Sequence, residues 1–323
     1  MEVEIYELSY PINGSNEPAF SPAPCCLAIG HFDGVHLGHR HVIDRAVEEA
    51  RQSGTRAAVM TFHPHPREVL GIGSGFAECL TPLDAKLELF REAGADAVFI
   101  MQFDPAFAAI SPEMFAREVL VPLGVSHAVV GFDFTFGSRG AGTPHMLAEL
   151  GSGSFTVDIV PAAQRDGLKV SSTYVREALE EGRVELAAEL LGRPYRVSGI
   201  VVHGDARGRL LGFPTANLSP DQPYVLPRLG VYAVKVRIPS PLGGEPAVHD
   251  AVLNHGMKPT FNKDKIVPVL EAHLLDFEGD LYGNRLEIDF VHFLRTEQKF
   301  SGIDELVSQL GRDKARAREL LED

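Results

Sequence analysis

PCCLAIG, residues 24–30, is an unbroken apolar run and predicts a buried strand. HRHVIDRAVEEARQSG follows with apolar positions at helical spacing, and predicts a helix ending at Gly54. The alternation then recurs. RAAVMTF, DAVFIMQF, SHAVVGFDF and FTVDIVPA read as further strands. TPLDAKLELFREAG predicts a helix with Thr81 as N-cap and proline at its first position, and SPEMFAREVLVPLG begins with a second Ser-Pro cap signal. Short apolar strands alternating with helices predict an α/β domain whose parallel sheet is covered on both faces.

Around Gly192 the period changes. YRVSGIVVHG, GVYAVKVRIP, HDAVLNHG, IVPVLEAHLLDF and RLEIDFVHFLR are strand candidates separated by Gly, Pro, Asn and Asp turns, with no helix between them. That pattern predicts an antiparallel barrel or sandwich. GIDELVSQLGRDKARARELLED predicts a closing C-terminal helix. The expected boundary follows the short helical stretch RVELAAELLG, giving domains 1–190 and 191–323.

Composition narrows the function. A length of 323 residues suits two domains. The net charge of −14 argues against a general nucleic-acid grip, which needs a basic face, but leaves room for nucleotides held by local donors. Three cysteines make no disulfide framework and fit a reducing cytoplasm. The N-terminal MEVEIYELSYPING has no apolar signal core, and no stretch approaches the ~20 apolar residues of a membrane span. The expectation is a cytoplasmic protein with no membrane or nucleic-acid partner; self-association stays open.

Two stretches carry candidate chemistry. GHFDGVHLGHR, residues 30–40, follows a strand and opens a helix. A helix N-terminus offers free N–H groups and the positive end of the dipole, Gly34 and Gly38 allow close approach, and His36 and His39 can donate to phosphate oxygens. On the residues alone a metal site and ordinary loop histidines remain alternatives; the glycines serve only the phosphate reading. Asp33 is a turn-former or a magnesium-side carboxylate. GIGSG, residues 71–75, follows no strand and reads as a surface loop, and no P-loop motif occurs.

The second stretch is GDARGRLLGFPTANL, residues 204–218. In an extended segment Thr215 and Asn217 point the same way, so their oxygens suit part of a magnesium shell; a capped turn is the alternative. In VPVLEAHLLDF, Glu271 shares a strand face with Val269, His273 and Leu275, as a proton acceptor or as an edge-strand charge.

Both stretches resemble one family. His36-Leu37-Gly38-His39 resembles the HxGH signature of nucleotidylyltransferases. The longer GHFDGVHLGHR, with TFHPHPREVL, VVGFDFTFGSRGAG and VSSTYVREALEEG, resembles the adenylyltransferase module of bacterial bifunctional riboflavin kinase/FMN adenylyltransferases (FAD synthetases). GDARGRLLGFPTANL, NHGMKPTF, VLEAHLLDFEGDLYG and FLRTEQKFSGIDELV resemble their riboflavin kinase module. The resemblance implies a Rossmann-like, nucleotidylyltransferase-type domain, then a β-barrel, and a chain that converts riboflavin to FMN and FMN to FAD using ATP and Mg²⁺. It implies an adenylyl-transfer ATP site of Gly30, Phe32, Asp33, Gly34, His36, Gly38, His39, Ser172, Thr173 and Arg176, with His65 and Asp133 in the FMN/adenine cleft. It implies a kinase ATP site of Gly204, Arg207, Gly208, Gly212, Pro214, Thr215 and Asn217, magnesium on Thr215 and Asn217, Glu271 as catalytic base, and Arg295 against the flavin. His31, His63, His255 and Thr296 depart from the family's usual residues.

Overall fold

Along β2 (Cys25–Ile29) every side chain is buried, because alternate residues enter two different cores. Cys25, Leu27 and Ile29 join one cluster, with Met60 and Phe99; Cys26 and Ala28 join the other, with Ile43 and Phe90. This two-sided burial explains why the strand reads as a continuous apolar run. The computed structural model describes residues 3–12, 23–71, 78–204, 213–240, 244–259 and 266–322. They form two compact units, Met1–Ser172 and Thr173–Asp323.

In the first unit, β1 (Glu4–Leu8), β2, β3 (Arg56–His63), β4 (Ala97–Gln102), β5 (Val125–Gly131) and β6 (Thr156–Val160) form a parallel sheet in the order β1-β4-β3-β2-β5-β6. β2 is followed by α1 (Leu37–Ser53) and by β3 on one side, while β5 returns on its other side. The strand order therefore reverses at β2, which opens a crevice at the carboxyl ends of these strands. α1 ends at Gly54 in the left-handed conformation, as its sequence predicts.

The remaining helices of this unit include α2 (Pro66–Val69), α3 (Leu83–Glu92), α4 (Pro105–Ala108), α5 (Pro112–Met114, running on as a π-helical turn over Phe115–Leu120) and α6 (Pro144–Leu150). Ser111 caps α5 through its hydroxyl, as expected. Thr81 does not cap α3: Pro82 occupies that position without a side-chain cap bond, and the Thr81 N–H is given to Asp33 instead. β1 has no counterpart in the sequence reading. It is a five-residue edge strand whose exposed side chains lack an apolar run. A two-residue hairpin, β7 (Gln164–Arg165) with β8 (Leu168–Lys169), precedes α7 (Ser172–Glu180), within which the two units divide.

The second unit closes β9 (Tyr195–Val202), β10 (Ala216–Pro220), β11 (Gly230–Ile238), β12 (Ala247–Pro259), β13 (Ile266–Leu274) and β14 (Arg285–Arg295) into an antiparallel barrel. The alternative of a sandwich is excluded. α8 (Val184–Leu191) packs on β14, and α9 (Ile303–Leu321) covers β11, β12 and β14 through Ala317 and Leu321.

Candidate functional sites on the two units

The turn from β2 to α1 holds an unusual backbone. Phe32, Gly34 and Val35 take φ values of 56°, 87° and 41°. For phenylalanine and valine this left-handed region costs about 1–3 kcal/mol each, so the surroundings must impose it. They do so with several bonds. Asp33 Oδ1 accepts the N–H groups of Leu80 and Thr81, at 3.0 and 3.1 Å, and the Ser172 hydroxyl donates to the Asp33 carbonyl at 2.8 Å. The Asp33 carboxylate thus braces the turn.

The turn delivers His36 to the N-cap of α1. Its Nδ1 accepts the N–H of His39 at 3.2 Å, which leaves the ring proton of the neutral imidazole on Nε2. The rings of His36 and His39 stack with centroids 3.6 Å apart and 17° between planes. Burial lowers the His36 pKa to about 4 and holds that of His39 well below its ordinary value. Both are therefore neutral donors at pH 7. Gly38 leaves the His36 ring room: a Cβ there would lie 3.2 Å from His36 Cε1. A Cβ at Gly30 would press on the Phe32 ring at 2.8 Å.

Two further expected residues, His65 and Asp133, lie at the same carboxyl end of the sheet. His65, beyond β3, sets its ring against His31 with centroids 3.9 Å apart. Asp133, beyond β5, pairs with Lys169 at 2.6 Å, and both act on the charge of His36. Ser172 and Thr173 begin α7, and Arg176 follows one turn later.

His36 and His39 belong to no group of three or more possible metal ligands among the described residues. Among the described residues, the group of side chains spaced to hold a cation is Glu49, His127 and Asp158, elsewhere in the unit. Even there Arg45 already bridges the two carboxylates, at 2.6 Å from Asp158 and 3.4 Å from Glu49.

On the barrel, register builds the second site. Asn217 of β10 pairs with Glu271 of β13, which pairs on its other side with Asn254 of β12. Directly paired residues project to the same face, so the three side chains form a row. Leu270, Ala272 and Leu274 point into the core, placing Glu271 on the opposite, half-buried face with Val269 and His273. Leu275, expected on that face, lies past the strand end, and its N–H bonds to the Asp250 carbonyl. His273 fixes the neighbouring FPT segment through Nδ1 and the Pro214 carbonyl, 2.8 Å apart. Pro214 and Thr215 line a cleft with Val201, Asp280 and Tyr282.

A Cβ on Gly204 would collide with the Asn217 amide, so glycine leaves space for that side chain. Hydroxyl and amide oxygens are hard donors, and Thr215 and Asn217 therefore fit magnesium, supplemented by water and phosphate oxygens. Arg207, Gly208 and Gly212 lie outside the described residues. Arg295, expected near the flavin, has its guanidinium on Asp313 of α9 at 2.7 Å, where it ties β14 to that helix.

Sequence reasoning missed Asn254 and Lys86. Asn254 lay within the quoted NHGMKPTF, and only strand register brings it beside Glu271.

Two family models match these units: FAD synthetase over residues 20–174 and riboflavin kinase over residues 191–321. The bifunctional riboflavin kinase/FMN adenylyltransferase of Bacillus subtilis (strain 168) is 43% identical over 296 residues, covering 91% of this chain and 92% of that protein. The chain belongs to the bifunctional riboflavin kinase/FMN adenylyltransferase family. The family member of Escherichia coli (strain K12) is 41% identical over 297 residues, covering 91% of this chain and 92% of its own. A crystal structure described as a macrolide-efflux protein from Streptococcus pneumoniae shares the fold, with a TM-score of 0.86 and 30% identity over 97% of this chain and 98% of that one. Among the described residues no helix is long and apolar enough to cross a membrane.

Proposed function

We propose that this family member makes FAD from riboflavin in two ATP-dependent steps, with one set of residues on each unit. It phosphorylates riboflavin to FMN and adenylylates FMN to FAD, releasing pyrophosphate. The functional division is taken as 1–190 for adenylyl transfer and 191–323 for the kinase.

In the kinase, Glu271 accepts the proton of the ribityl 5′-hydroxyl as that oxygen attacks the γ-phosphorus of ATP, and the bond to ADP breaks. Asn254 and Asn217 flank Glu271 in the strand row and orient it. Gly204 and Pro214 shape the ATP side, with Arg207, Gly208 and Gly212 assigned there by the family resemblance. Magnesium on Thr215 and Asn217 would neutralise phosphate charge when bound. Arg295 contributes at the flavin end by anchoring α9.

In adenylyl transfer, an FMN phosphate oxygen attacks the α-phosphorus of a second ATP, and the bond to pyrophosphate breaks. No protein nucleophile is needed; alignment and charge stabilisation suffice. His36 and His39 donate to the transferring group. Gly30, Phe32, Asp33, Gly34 and Gly38 shape the turn around the phosphates. Ser172, Thr173 and Arg176 bind phosphate from the start of α7, and His65 and Asp133 border the FMN/adenine cleft. The observation that carries this reading is the strained turn ending on a buried, neutral His36 at the α1 N-cap. A cytoplasmic setting suits the buried Cys25 and Cys26, which form no disulfide.

Incubation with riboflavin and Mg·ATP, followed by flavin chromatography, tests the reading. FMN should appear first and FAD after it. FMN accumulating without FAD removes the adenylyl assignment, and riboflavin left unchanged removes the kinase assignment.

A further inference from the structure

α3 turns a charged side chain toward its own apolar face. Lys86 and Phe90 are one helical turn apart and are 4% and 0% exposed. The Lys86 ammonium donates to the His31 carbonyl at 3.2 Å and to Thr61 Oγ1 at 3.4 Å, and the Thr61 hydroxyl donates to the same carbonyl at 3.0 Å. Phe90 meets the Phe32 ring edge-on, with centroids 5.7 Å apart. Phe32 in turn meets His39 edge-on at 5.3 Å. Segment 80–90 therefore grips the strained turn at three successive residues: His31 through Lys86, Phe32 through Phe90, and Asp33 through the N–H groups of Leu80 and Thr81.

The two hydrogen-bond partners of Lys86 are neutral oxygens, and burying an ammonium on such partners is expensive. A methionine would fill the same space at lower cost. Burial accordingly lowers the Lys86 pKa, an effect partly offset by the charge of Asp33. Lys86 lies beneath the turn that carries His36 and His39 and acts electrostatically on His39, and an anionic ligand there would feel the same group at low dielectric.

We propose that Lys86 is a positioning residue for adenylyl transfer: its buried ammonium fixes the His31 carbonyl, and with it the left-handed turn that aims His36 and His39 at the triphosphate of ATP. This inference rests on the adenylyl-transfer reading above. Lys86 acts through the turn and through its field, and it touches no substrate itself.

The test is Lys86→Met in the full chain, with both activities and the melting temperature measured on one preparation. The expected result is a fall of roughly a hundredfold in kcat for FMN adenylylation, the size of effect that misplacing catalytic groups produces. KM for ATP should change by no more than about threefold, because the loss is concentrated in the transition state. Riboflavin phosphorylation should stay at the wild-type rate, and the melting temperature should hold or rise. An unchanged adenylylation kcat overturns the proposal. So does a loss confined to KM, or a loss of kcat matched by lost thermal stability, which would make Lys86 a folding residue. If the wild-type chain itself forms FMN but no FAD, the adenylyl reading fails first, and that outcome is distinct from any result on the variant.

Discussion

An imidazole sealed from water resists protonation, and His36 carries a measurable consequence. Its pKa is about 4 when folded, from burial, against 6.5 for the ordinary side chain. Between those values the unfolded chain takes up a proton that the folded chain refuses. The stability contribution is therefore complete above pH 6.5 and is lost as pH falls toward 4. The loss from this group amounts to about 3 kcal/mol, and buried His31 and His39 act in the same direction. Urea unfolding at pH 7 and pH 4.5 should show a smaller acid loss for His36→Asn than for the wild type. Equal losses would mean that His36 titrates normally. Residues of this kind were only partly legible in the sequence. The spacing of His36 and His39 after a strand pointed to them. Lys86 was invisible, because a lysine in LDAKLELFRE looks like any solvated helix charge until the helix is docked. Nor could sequence show that Phe32 and Val35 adopt positive φ, since both residue types disfavour it.

At the scale of elements, the row Asn217–Glu271–Asn254 depends on β10 lying beside β13 in one register, and Gly204 makes room for its first member. Gly204→Ala should displace the Asn217 amide and lower riboflavin phosphorylation by about tenfold or more, while FAD formation from supplied FMN is untouched. Kinetics on each substrate separately check this, and an unaffected kinase would contradict the crowding. Apolar runs located the inner strands of the first unit, and segments bounded by Gly, Pro, Asn and Asp turns located most strands of the barrel. β1 and β10 escaped because they are short and lack such a run: EIYEL is an exposed edge, and ANLSP ends in proline. Thr81 followed a good capping rule, but tertiary demand from Asp33 took its N–H and left the cap position to Pro82. Barrel and sandwich share one alternation of side chains, so closure could be read only from the pairing of β9 with β10 and β14.

For the molecule as a whole, the change of period near Gly192 and the division of contacts between Ser172 and Thr173 are different boundaries. The difference has a physical source. α7 and α8 are helical in sequence like the first unit, yet they bond to the barrel side: the Arg228 N–H reaches the Leu179 carbonyl at 2.8 Å, and Glu185 meets His292 at 3.0 Å. The two activities were legible because each carries its own signature, and each attacks a different phosphorus atom of ATP. They should therefore be separable by mutation. His36→Ala should abolish FAD formation and spare FMN formation, and Glu271→Gln should do the reverse when FMN is supplied. The decisive measurement is chromatography of flavins formed from riboflavin and Mg·ATP by each variant alone and by the two mixed. The account predicts FMN only from His36→Ala, no phosphorylated flavin from Glu271→Gln, and FAD from the mixture. A folded variant that has lost both activities, or a mixture that makes no FAD, would contradict it.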